Sequence, residues 1–110
     1  MIVVTCETIR GFRIVKTLGL VRGNTIRARH IGRDIKALFR NIIGGEITDY
    51  TKLMAESREQ AIDRMVAHAE QLGANAVIAS RFASAELMGG AAELLCYGTA
   101  VVVEPEGPAS

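Results

Sequence analysis

Four glycine-anchored phrases constrain this chain more than any other feature. They are Gly44-Gly45-Glu46 with Tyr50-Thr51, Leu72-Gly73-Ala74-Asn75-Ala76-Val77, Gly89-Gly90-Ala91-Ala92-Glu93 and Tyr97-Gly98-Thr99-Ala100-Val101. Glycine reaches backbone conformations closed to other residues and lets a second backbone come close. Each phrase therefore marks a turn, a helix end or a tight contact. Together they punctuate a helix and two strands, and they constrain architecture more than chemistry.

The segments between them follow from hydrophobic period. Residues 2–6 are β-branched and apolar, which predicts a short strand. Residues 12–21 predict a second strand, with Gly19 marking a bulge or a close backbone approach. Gly23-Asn24 reads as a turn, and residues 25–29 as a further strand. Asp34 opens a short helix in which Ile35, Leu38, Phe39, Ile42 and Ile43 share a face. Residues 46–72 predict one long helix with a stripe of Ile47, Tyr50, Met54, Ala61, Met65, Ala69 and Leu72. Ser57 with Gln60 offers an alternative start for a second helix there. Residues 75–82 predict a strand that can continue to Met88, Gly89-Gly90 a hairpin turn, and residues 92–103 a returning strand. Both faces of that last strand are apolar, so it belongs in the middle of a sheet or under cover on both sides. The reading is an α+β domain over residues 1–104 and a tail over 105–110, with a mainly antiparallel sheet packed on one long helix plus a shorter one.

At 110 residues the chain is one domain. Its apolar fraction, 49%, is mostly aliphatic, a composition that suits close packing between subunits as well as within one. No run approaches the 18 or so apolar residues that span a membrane, and no basic segment precedes Met1-Ile2-Val3-Val4 as in a secretory leader. Two cysteines make no disulfide framework, so a cytoplasmic protein with free thiols is expected. The net charge of +1 hides an asymmetry. Residues 10–40 hold nine Lys and Arg against one acid, Asp34, whereas acids outnumber bases from Asp49 to Glu106. Such polarity fits an anionic ligand, and equally a basic surface of one subunit facing the acidic surface of its neighbour.

The ordered phrases Leu18-Gly19-Leu20-Val21-Arg22-Gly23, Arg40-Asn41-Ile42-Ile43-Gly44-Gly45-Glu46, Tyr50-Thr51, Arg64-Met65, Leu72-Gly73-Ala74-Asn75-Ala76-Val77, Arg81-Phe82 and Tyr97-Gly98-Thr99-Ala100-Val101 resemble the YbjQ-like family. The resemblance runs from about residue 3 to residue 103. It implies a dodecin-like α+β subunit that assembles as a ring-shaped homopentamer, and it brings the label "putative heavy-metal-binding". No catalytic or metal residues come with it. At positions 6 and 96 it implies threonine or serine and alanine, so Cys6 and Cys96 are no family-wide ligands.

A soft-metal cofactor needs converging thiolates or imidazoles, and Cys6, Cys96 and His30 are the candidates, with no Cys-x-x-Cys or His-x-x-x-His spacing to join them. Cys6 and Cys96 can meet if the first and last strands pair; otherwise both are small apolar residues in strands. His68 reads as a surface or interface histidine. The basic group Arg22, Arg27, Arg29, His30 and Arg33, with Asn24 in its turn, is the candidate for phosphate or carboxylate. Nucleic acid lacks any motif or stacking platform. Catalysis has nothing to orient a Cys–His pair, and the glycines match no phosphate loop. The expectation is a homo-oligomeric binding module for a metal ion or small anion. The alternatives are an enzyme with an arginine-lined site between subunits, or a purely structural assembly.

Overall fold

The computed structural model describes residues 1–27, 48–86 and 91–107. These form an α+β unit in which a four-stranded mixed sheet carries a helix on part of one face. In chain order the elements are β1 (Ile2–Val3), β2 (Phe12–Arg27), α1 (Thr48–Gln71), β3 (Ala76–Glu86) and β4 (Ala92–Pro105). The strand order is β1-β3-β4-β2. β4 pairs antiparallel with both β2 and β3, and β1 runs parallel to β3.

β4 is central, as its two apolar faces require. Its residues alternate without a break, but the buried set changes face along the strand. Cys96, Gly98 and Ala100 are buried towards α1, in a core with Val21, Ala61, Met65, Ala69 and Val77. Val101 and Val103 are buried on the opposite face, with Ala76 and Ile78, beneath Ile2, Val4, Ile9 and Phe12 of the N-terminal segment. One sheet thus carries two cores, diagonally placed.

The long helix is one helix, as expected. Its buried positions are Ser57, Ala61, Met65 and Ala69, every fourth residue and so one face. Ser57 lies inside this face, 1% exposed, and begins no second helix. Leu72 lies past the helix end and is 43% exposed, so it leaves the expected stripe. The end is closed by Gly73 at φ +87°, with the Ala74 amide donating to Ala69 at 3.0 Å and the Gly73 amide to Glu70 at 3.0 Å. That pair of bonds is the Schellman arrangement, which needs a left-handed residue at this position.

Gly23-Asn24 is not a turn. β2 runs straight through it for 16 residues. The glycine serves close packing instead: a Cβ at Gly23 would overlap the Ala61 carbonyl oxygen, the Met65 amide nitrogen and Cβ of Arg64. Sequence alone cannot tell a glycine that turns the chain from one that makes room for another backbone. Gly19 does mark a bulge, with φ +113° and a register shift between Thr17 and Gly19. The first strand is shorter than expected, Ile2–Val3. The residues after it still bond to β3, with the Ser80 amide donating to Val4 O at 3.0 Å and the Ala79 amide to Cys6 O at 2.8 Å. These bonds hold Ala79 at φ +53°, a left-handed conformation costing about 1 kcal/mol for alanine. A register shift in β3 falls there, between Ile78 and Arg81. The short helix expected after Asp34 and the Gly44-Gly45 and Gly89-Gly90 turns lie outside the described residues.

Candidate functional site

The glycine at position 23 brings α1 close enough for its side chains to reach the edge of β2. The Arg22 amide donates to Nδ1 of His68 at 3.3 Å, and Nη1 of Arg64 donates to the Asn24 carbonyl. Both are strand groups that point away from β4 and would otherwise be unpaired. His68 is therefore a half-buried cap on the sheet edge. Deeper in, the Thr25 hydroxyl donates to Ser57 O at 3.4 Å.

The two thiols are not brought together. β1 pairs with β3, not with β4, so β3 stands between the N-terminal segment and the strand carrying Cys96. Cys6 is exposed, and Cys96 is 1% exposed in the helix-side core. Burial pushes the Cys96 thiol above its usual value, because the thiolate would lose its hydration. The protonated Sγ lies 3.6 Å from Sδ of Met65, so two soft donors touch in the core. His30 lies outside the described residues. Among the described residues no three His, Cys, Asp or Glu side chains converge as a metal centre.

The arginine group is reached only in part. Arg22 and Asn24 lie on β2 and Arg27 ends it, while Arg29 and Arg33 lie outside the described residues. Asn24 is already engaged, with Nδ2 donating to Oε2 of Glu93 at 3.1 Å.

Register shows what hydrophobic period alone did not. On the sheet face away from α1, Arg22 of β2 lies opposite Tyr97 of β4, and Tyr97 lies opposite Arg81 of β3. The only ion pair among the described residues is Arg13–Glu104 at 2.8 Å, so neither of these arginines has a described carboxylate partner. Arg81 is fixed through Nη1, which donates to Thr5 O and Ser80 O, both at 2.8 Å. The signal that would have found this row is the antiparallel pairing of residues 22 and 97, whose sum with every neighbouring pair from Leu20 to Arg27 is constant. At the far end of the sheet, Thr8, Arg10, Phe12, Arg13 and Glu106 line an open concavity of about 620 Å³.

A four-stranded mixed sheet packed with one helix defines a small α+β unit. Residues 1–104 match the YbjQ_1 family model, described as "Putative heavy-metal-binding", and the chain belongs to that family. It is 58% identical over 106 residues to a UPF0145 protein of Clostridioides difficile, covering 96% of this chain and 95% of that one. A UPF0145 protein of Pyrococcus abyssi is 57% identical over 106 residues, covering 96% and 93%. One of Methanosarcina acetivorans is 52% identical over 103 residues, covering 94% and 97%. The fold is similar to a crystal structure of a DUF74-family protein of unknown function from Pediococcus pentosaceus. The TM-score is 0.60 and the identity 15%, over 94% of this chain and 98% of that one.

Proposed function

We propose that this chain is a cytoplasmic subunit of a homo-oligomeric ring, a pentamer, that binds a small charged ligand. The observation that carries the reading is apolar surface left uncovered on β2: Leu20 is 63% exposed and Ile26 56%. β2, which carries both residues, spans about 50 Å.

Sedimentation tests this directly. The wild type sediments as one oligomer at micromolar concentration, and the double variant Leu20→Glu, Ile26→Glu sediments as a folded monomer. A folded wild-type monomer overturns the reading.

For the ligand, the surplus of arginine near Asn24, Arg27, Arg29 and Arg33 favours a small anion. A soft metal ion is a second reading, supported by the family description and by the contact of Cys96 with Met65. Metal content of purified protein, measured with and without Cys6→Ser and Cys96→Ser, separates them. Content that is negligible, or that survives both changes, removes the thiols as its source.

A further inference from the structure

We propose that the concavity at the turn of residues 8–14 is a binding site for an α-amino acid with a large apolar side chain. It lies at the opposite end of β2 from Asn24 and Arg27 and uses none of the arginine group, so it goes beyond the anion reading and does not rest on it. Its volume, about 620 Å³, is within the range of small-molecule sites. The turn itself builds the hollow. The Phe12 amide donates to Ile9 O at 3.1 Å, with Gly11 at φ +86° as the third residue of the turn. The Glu106 amide donates to Gly11 O at 2.9 Å, which ties the end of β4 to the same turn. Ile9 and Phe12 pack on the core beneath, so the floor of the hollow is held in place.

Charge selects a zwitterion. Arg10, Arg13 and Glu106 all line the concavity. Arg13 is already paired with Glu104 at 2.8 Å. Neither the Arg10 guanidinium nor the Glu106 carboxylate has an ion pair or hydrogen bond among the described residues. One cation and one anion therefore border the same space without being joined to each other. An α-amino acid carries the matching pair on a single carbon. Its carboxylate meets the guanidinium, which can donate two parallel N–H bonds, and its ammonium brings three donors to the Glu106 carboxylate. A simple anion would gain from Arg10 and be repelled by Glu106, and a simple cation the reverse.

The floor selects the side chain. The apolar residues of the concavity are Ile9 and Phe12, both half-buried, and Ile14, which is 38% exposed. A leucine or phenylalanine side chain laid on them removes apolar area from water on both sides of the contact, a gain that glycine cannot make. Glu106 is available for this role because its amide, not its carboxylate, serves the fold.

The test is calorimetric titration of the intact protein with L-phenylalanine. Three fragments are titrated beside it: 3-phenylpropionate, which lacks the ammonium, phenethylamine, which lacks the carboxylate, and glycine, which lacks the ring. Phenylalanine is expected to bind about fivefold or more tighter than each fragment. Arg10→Gln and Glu106→Gln are each expected to weaken phenylalanine by about fivefold or more. Lys16→Gln removes a charge of β2 outside the concavity and should stay within about twofold of wild type. All three side chains are exposed, so the variants keep the fold, which circular dichroism checks. No binding at millimolar phenylalanine overturns the site. So does any fragment that binds as tightly as phenylalanine, or a smaller loss in either charge variant. An equal loss in Lys16→Gln overturns it too, leaving only a general attraction to a basic strand.

Discussion

The two halves of the sheet are buried by different means. From Leu94 to Ala100, β4 is covered by a helix whose backbone meets the neighbouring strand β2 at Gly23. From Val101 to Val103 it is covered on the other face by the N-terminal segment, an irregular strap held to β3 by a few backbone bonds. The helix half is packed backbone to strand, so its geometry has little freedom. The strap half is packed side chain to side chain, under a segment that can settle. The same sheet therefore joins a rigid region to a compliant one, and the difference should appear in how each responds to change.

The largest expected effect is at the closest approach. Gly23→Ala places a methyl group where α1 has backbone atoms, and backbone cannot rotate away as a side chain could. The helix must lift, which breaks the caps on Arg22 and Asn24 as well. The expected cost is about 3 kcal/mol or more, read as a fall in melting temperature of roughly 12–24 °C. A fall under 4 °C would mean that the helix half is no stiffer than the strap half.

A matched pair of substitutions sharpens the contrast. Val77 is fully buried in the helix-side core, and Val103 is 5% exposed in the strap-side core. Changing either to alanine removes the same two methyl groups, worth about 1.6 kcal/mol by transfer alone. Under the helix the gap stays open, so Val77→Ala should cost about 3 kcal/mol. Beneath the strap the gap can close, so Val103→Ala should cost about 1.5 kcal/mol. Urea denaturation measures both, and equal losses would erase the distinction. Native-state hydrogen exchange gives a second view: the amides of Val4 and Ala79, which bond between strap and β3, should exchange before those of Gly98 and Ala100.

How much of this was readable beforehand follows from what period and propensity report. The long helix and the central place of β4 were legible, because apolar spacing registers burial directly. So was the bulge at Gly19. Gly23 was misread because an allowed turn and a required contact call for the same residue. The switch of burial from Ala100 to Val101 leaves no mark in a strand apolar on both faces. The candidate site was less legible still. Arg22 was in view as part of a basic group, but Tyr97 lies opposite it only through a strand pairing that spans 75 residues (97 − 22), and Arg81 only through the bulged pairing of β3 with β4. The separation of Cys6 from Cys96 was likewise a matter of strand order.

The smallest expected effect depends on a group found in the helix half alone among the described residues: a buried thiol. Cys96 keeps its proton in the folded protein above the usual thiol value near 9.0, because burial disfavours the thiolate. In the unfolded chain that thiol ionises in water at its ordinary value. The folded state then binds more protons than the unfolded state, and stability must decline as pH rises. The contribution is fully present below pH 9 and is lost as pH climbs from there through the raised value. Melting temperatures recorded from pH 7 to 10.5 should bend downward above about pH 9, and the bend should be shallower in Cys96→Ala. The alanine variant loses the contact with Met65 at every pH, so its curve starts lower and runs flatter. Parallel curves would show that Cys96 is reached by solvent and would place a loose spot in the half of the sheet that the helix packs more tightly.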